Sequence, residues 1–297
     1  MGITRRGFLK TGALSAAGIV SVWHMKAHGQ ARIRLSACDW SMQESNRPEG
    51  LDVAKSLGLD GLEISAADEP RDTLKIADPA FREEYKVAMV RSGVVVSSIA
   101  MGLLNGNPFA SDERAPAWLE QTIAAAADLD AKVILLAFFG QGDLVDRRSA
   151  RAGGSGMKDD EVAVVVERLK AAAPIAADAG VILGLENTLS AEQNMIIMDR
   201  VGHDAVQVYY DVGNSTYNGY DVPAEIRALG KRICQIHFKD GRFALGEGKV
   251  DMDAAAQAMN DIQYDGWVTL ETAILDDDRD ASFRRNAEFT RNLFSAA

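Results

Sequence analysis

Val-Ile-Leu-Gly-Leu-Glu, residues 181–186, is a short apolar run that closes on a carboxylate. Read at period two, Val181, Leu183 and Leu185 face one way while Ile182, Gly184 and Glu186 face the other, as in a strand. Working outward, β-like runs recur downstream at 206–211, 233–239 and 267–271, and upstream at 33–38, 61–65, 94–101 and 132–139. Between them lie stretches such as 78–92, 116–128, 159–179 and 281–294. These are long enough for crossover helices and carry Ala, Leu and Val at helical spacing. Strand alternating with helix is the pattern of a parallel α/β fold. No linker rich in Pro, Gly or Ser divides the eight units, so one closed (β/α)₈ TIM barrel is expected over residues 32–297 rather than two open sheets.

The later runs split into faces in the same way. Val206, Val208 and Tyr210 oppose Gln207, Tyr209 and Asp211; Cys234, Ile236 and Phe238 oppose Gln235, His237 and Lys239; Val268 and Leu270 oppose Trp267, Thr269 and Glu271. The apolar sets are expected against the helix layer, which turns the polar sets into the barrel. Active sites of such barrels lie at the carboxyl ends of the strands, and Glu186, Asp211, His237 and Glu271 all fall there on inward positions. Taken singly, a carboxylate at a strand end is usually a helix cap or a surface charge, and a lone His a hydrogen-bonded core residue. Convergence of four on one mouth reverses that balance. Three ionised carboxylates so close would repel strongly unless some are protonated or a cation sits among them. Oxygen donors with one imidazole suit a divalent metal ion, Mn²⁺ first, with Mg²⁺, Co²⁺ or Zn²⁺ as alternatives.

Other residues have two readings each. Glu63 either contacts a substrate across the barrel or bonds to a neighbouring strand end. Lys239 either binds a substrate oxygen or neutralises a ligand carboxylate, and Asp240 caps the following turn. Trp40 either stacks on a sugar ring or packs. Asn105, Gly106, Asn107 and Pro108 form a turn facing the mouth. Residues 140–158, with Gly153-Gly154-Ser155-Gly156, show no helical or strand pattern and read as a lid or as a disordered insertion.

The formal charge of -11 would repel a phosphate backbone, so nucleic acid is excluded as a partner. Thr4-Arg5-Arg6-Gly7-Phe8-Leu9-Lys10 precedes an apolar stretch, Thr11 to Val22, too short to span a bilayer. This reads as a twin-arginine signal peptide over residues 1–31, with cleavage expected after Ala31 or slightly earlier; an uncleaved anchor is the alternative. It predicts passage through the twin-arginine export machinery and work in the periplasm or otherwise outside the cytoplasm. The only cysteines, Cys38 and Cys234, are expected on opposite faces of non-adjacent strands and unbridged.

The chain resembles the sugar phosphate isomerase/epimerase superfamily, the xylose-isomerase-like barrels that include tagatose and psicose 3-epimerases. The resemblance is carried by Gly-Leu-Asp-Gly-Leu-Glu-Ile-Ser (58–65), Leu-Gly-Leu-Glu-Asn (183–187), Tyr-Tyr-Asp-Val-Gly-Asn (209–214), Ile-His-Phe-Lys-Asp (236–240), Leu-Gly-Glu-Gly (245–248) and Leu-Glu-Thr (270–272). It implies the same four metal ligands, Glu186, Asp211, His237 and Glu271, with Glu186 and Glu271 as base and acid in proton abstraction beside a carbonyl, through an enediolate. It further implies that Glu192 contacts substrate. Two positions depart: Asn214 and Phe243 stand where the ketose epimerases have a His and an Arg, with Arg242 one place off as a substitute. The departures point away from free ketoses and toward another unphosphorylated sugar derivative. The apurinic endonuclease branch needs more histidines than His203 and His237. A small carbohydrate is the expected substrate, and a homo-oligomer is compatible with the family. A 3-keto-glycoside lyase is the first alternative and a non-catalytic sugar- or partner-binding barrel the second.

Overall fold

The computed structural model describes residues 33–295, so the signal peptide expected over 1–31 lies outside the described residues. Eight parallel strands close into a barrel in chain order: β1 (Arg34–Cys38), β2 (Gly61–Ser65), β3 (Val95–Met101), β4 (Val133–Ala137), β5 (Ile182–Glu186), β6 (Val206–Asp211), β7 (Ile233–Phe238) and β8 (Trp267–Leu270). The helices are α1 (Gly50–Ser56), α2 (Pro79–Ser92), α3 (Ala115–Asp128), α4 (Arg147–Arg151), α5 (Asp159–Asp178), α6 (Ala191–Val201), α7 (Val212–Tyr217), α8 (Val222–Leu229), α9 (Met252–Asp261) and α10 (Arg279–Ser295). No helix among the described residues is long and apolar enough to cross a membrane.

Local chemistry sets the helix ends. Asp78 accepts the Ala80 N–H ahead of Pro79 at the start of α2, and Ser190 and Gln193 form a reciprocal capping box on α6. Both helices stop at a glycine in the left-handed region, Gly93 (φ 71°) and Gly202 (φ 70°).

The strands divide two cores. Leu183, Leu185, Val208, Ile236, Phe238, Val268 and Leu270 pack outward with the helices, as their alternation predicts. Truncating such a fully buried Leu to Ala costs roughly 2–5 kcal/mol. A smaller cluster of Ala100, Val133, Leu135, Ala137 and Tyr209 lies separately, with Trp40, Phe139, Ile182 and Cys234 against it.

Cys234 corrects the sequence reading. The β6–β7 register passes from Val208↔Ile233 to Tyr209↔Gln235, a bulge that leaves Cys234 as the extra residue. Its thiol then turns inward, where a Cβ on Gly184 would lie 2.8 Å from Sγ, so glycine makes room for it. Cys38 also points inward; both thiols are free.

Residues 140–158 are a second correction. Asp146 caps α4 by accepting from Arg148 and Ser149, Val145 bridges Met157, and Gln193 Nε2 donates to the Ser155 carbonyl. The segment is folded against α6 rather than patternless.

Candidate metal centre

Four adjacent strands end on the four predicted ligands. Glu186 is the last residue of β5, Asp211 the last of β6, His237 the penultimate of β7, and Glu271 follows β8, its N–H donating to the Phe238 carbonyl. One ligand atom from each lies within 4.8 Å of the others. His237 Nδ1 stands 3.1 Å from Glu186 Oε1, 3.5 Å from Glu271 Oε2 and 3.9 Å from Asp211 Oδ2. Asp211 is oriented by the N-terminus of α7, where its Oδ1 accepts the Asn214 N–H at 2.8 Å.

These groups fit a cation. Asp211 Oδ2 is buried, and besides the Lys239 ammonium 2.9 Å away no protein group satisfies it. The same ammonium donates to Glu271 Oε2 at 2.6 Å. Burial pushes the Glu186 carboxyl up to about 7, with the nearby His237 opposing the shift. Burial also raises Asp211, against the pull of Lys239. Burial acts on Glu271 in the same sense, but His237 and Lys239 outweigh it and hold that carboxyl below its usual range. A bare cluster of three carboxylates is thus held by one imidazole and one ammonium, the electrostatic setting that a divalent ion completes.

Glu186 and Glu271 of the cluster line a cavity of about 410 Å³. Asn214 and Lys239 line it with Glu186 and Glu271, and Ala100, Leu135, Ala137 and Phe139 add apolar lining. Ser65 and Asn105 complete the polar contacts, Asn105 Oδ1 accepting the Phe139 N–H. Trp40 also lines the space, its indole N–H reaching Glu271 Oε1 at 3.3 Å.

Three residues expected at the substrate do not line the cavity. Glu63 is fully buried, its carboxylate bonded to His237, Ser98 and Tyr209, so it cannot reach a substrate in the cavity. Glu192 is exposed in the first turn of α6, outside the cavity lining. Arg242 is exposed, its guanidinium over the Phe243 ring at 5.3 Å, and neither lines the cavity. Lys239 pairs with Asp211 and Glu271 and also lines the cavity. Asp240 caps its turn, accepting from Gly248, Lys249 and Val250.

Sequence reasoning missed the apolar wall, because all five residues of β4 are buried and apolar and offer no contrast between faces. It also missed buried Asp39, which accepts the N–H and hydroxyl of Ser65 and the N–H of Asn46. Burial raises its carboxyl to about 6.

The profile of the family described as "Xylose isomerase-like TIM barrel" matches residues 51–293. This chain belongs to that family. Among curated members, it is 30% identical over 252 residues to the Escherichia coli (strain K12) protein named "Putative L-ribulose-5-phosphate 3-epimerase SgbU", covering 75% of this chain and 82% of that one. It is 26% identical over 245 residues to L-ribulose-5-phosphate 3-epimerase UlaE of Escherichia coli O6:K15:H31, covering 75% and 81%. Among solved structures, D-psicose 3-epimerase from Clostridium cellulolyticum H10 superposes with a TM-score of 0.72 at 17% identity, over 88% of this chain and 99% of that one. For 3-keto-D-glucoside 4-epimerase YcjR of E. coli the TM-score is 0.71 at 17% identity, over 88% and 100%. At these identities the structural likeness is one of fold.

Proposed function

We propose that this xylose isomerase-like barrel is a divalent-metal-dependent sugar epimerase or isomerase that moves a proton beside a carbonyl of an unphosphorylated, oxidised sugar. The observation that carries the reading is the convergence of Glu186, Asp211, His237 and Glu271 within 4.8 Å at a cavity of about 410 Å³. Relatives named as sugar 3-epimerases support the reaction class.

Glu186, Asp211, His237 and Glu271 would hold the cation, Mn²⁺ in the first instance, and its chemistry there is to stabilise negative charge developing on a substrate carbonyl oxygen. Glu186 and Glu271 reach the site from β5 and β8, on different sides of the cluster. One removes the proton next to the carbonyl and the other returns one, so return to the opposite face epimerises the carbon. Lys239 offsets charge on Asp211 and Glu271 throughout. The apolar wall keeps bulk water from the reacting carbon and strengthens these charge interactions.

Lack of a phosphate in the substrate is supported by the cavity lining, where Lys239 is the one basic residue and is already paired with two carboxylates. The apolar wall offers packing area to a sugar ring, and Asn214 and exposed Phe243 lack the charge of a His and Arg pair. The twin-arginine leader supports a substrate met outside the cytoplasm.

The test is incubation of Mn²⁺-loaded protein in deuterated water with a 3-keto-glycoside and, separately, with free tagatose, psicose or fructose. Deuterium uptake with epimer formation on the keto-glycoside, and weak turnover of the free ketoses, is the expected result. Release of the aglycone would identify a lyase, efficient ketose interconversion a ketose epimerase, and no exchange with any sugar a binding protein.

A further inference from the structure

We propose that Glu63 is a positioning residue that fixes which nitrogen of His237 faces the metal centre. It holds Nε2 as a hydrogen-bond donor, leaving the Nδ1 lone pair for the cation. The claim about the cation rests on the functional reading above; the claim about the imidazole does not.

His237 is fully buried, and its two nitrogens meet different surroundings. Nδ1 looks toward Glu186, Glu271 and Asp211, whereas Nε2 lies 2.8 Å from Glu63 Oε1. A cation at Nδ1 would take that nitrogen's lone pair and leave the ring's one N–H on Nε2, since the partner of one nitrogen decides the role of the other. The hydrogen bonds that Cys38, Ser98 and Tyr209 make to Glu63 are all ones it accepts. Its Oε2 takes the hydroxyls of Ser98 at 2.5 Å and Tyr209 at 2.8 Å, and its Oε1 takes the Cys38 thiol at 3.4 Å beside Nε2.

Those donors are themselves held. Gln235 Nε2 donates to Ser98 Oγ at 2.9 Å and to Thr269 Oγ1 at 2.8 Å, and Thr269 also meets Ser36 at 2.8 Å and the Tyr209 hydroxyl at 3.2 Å. The network joins β1, β2, β3, β6, β7 and β8 across the barrel interior. The Tyr209 ring, with its centroid 4.5 Å from that of His237, limits rotation of the imidazole. Space-filling alone does not call for a carboxylate here, since an apolar side chain of similar volume avoids the desolvation cost.

That contrast supplies the test. Glu63→Leu keeps volume and removes the acceptor, whereas Glu63→Gln restores an amide oxygen within reach of Nε2. In the metal-free protein, proton NMR with ¹⁵N-labelled histidine should show a low-field Nε2–H of His237 in wild type, weakened in Glu63→Gln and lost in Glu63→Leu. Calorimetric titration with Mn²⁺ should show affinity falling about tenfold to a hundredfold in Glu63→Leu, with partial rescue in Glu63→Gln. A purely structural role predicts that Leu performs as well as Gln, and unchanged Mn²⁺ affinity in a folded Glu63→Leu overturns the proposal. Should that variant not fold, Tyr209→Phe removes one hydroxyl donor to Glu63 and keeps the ring. An upfield shift of the Nε2–H with a few-fold loss of affinity then supports the assignment, and no change in either overturns it. Wild type that shows the Nε2–H but binds no Mn²⁺ upholds the role of Glu63 toward the imidazole and overturns the functional reading instead.

Discussion

The two halves of the barrel present different chemistry to one cavity. β5 to β8 end in Glu186, Asp211, His237 and Glu271, with Lys239 and Asn214 just beyond their strands. From β3, β4 and the residues after them come Ala100, Leu135, Ala137 and Phe139. Ala137 is the register partner of Glu186, so the boundary between the halves runs between paired residues. One half concentrates charge and the other lowers the dielectric around it. Burial is the largest cause of the upward shift of Glu186 to about 7, so the apolar half takes part in the electrostatics of the charged half.

The largest effect should come from breaking the charged half. Glu186→Gln and Glu271→Gln keep shape and lose a proton-accepting oxygen, and each is expected to lower kcat by about 10²–10⁴-fold while circular dichroism stays unchanged. Wild-type turnover in either variant would remove that residue from proton transfer.

Breaking the apolar half should be milder. Phe139→Ala removes half-buried packing area without touching a ligand, so KM should rise about tenfold with kcat nearly unchanged. An equal fall in kcat would show that the wall acts in the transition state and not in binding alone.

Coupling between the halves can be read from pH. The folded carboxyl of Glu186 sits at about 7, above its ordinary 4.5, so its contribution to stability is fully present below about 4.5 and lost as pH rises through about 7. The Tm of metal-free wild type should therefore fall relative to Glu186→Gln between about pH 5 and pH 8. A difference that stays flat would discard burial of this carboxyl as the coupling.

The smallest effect is expected outside both halves. Glu192→Gln and Arg242→Ala alter exposed side chains that do not line the cavity, so kcat/KM should stay within about twofold of wild type. A larger loss in either would return that residue to the substrate site.

By itself, the sequence determined the eight-stranded barrel and the convergence of Glu186, Asp211, His237 and Glu271, because strand alternation and side-chain direction are local properties of period two. They are plain wherever apolar and polar faces differ, as in 181–186 and 206–211. Only the tertiary structure decided what depends on pairing between distant segments. The bulge opposite Val208 and Tyr209 turned Cys234 inward against its strand pattern. β4 has no contrast between faces, so barrel closure alone shows that Leu135 and Ala137 line the cavity. Glu63 reads as a strand-end carboxylate until β2 is brought across the barrel from β7, where His237 Nε2 stands 2.8 Å away. Partner identity in a closed barrel is set by register and shear around the whole sheet, which no single run of residues encodes.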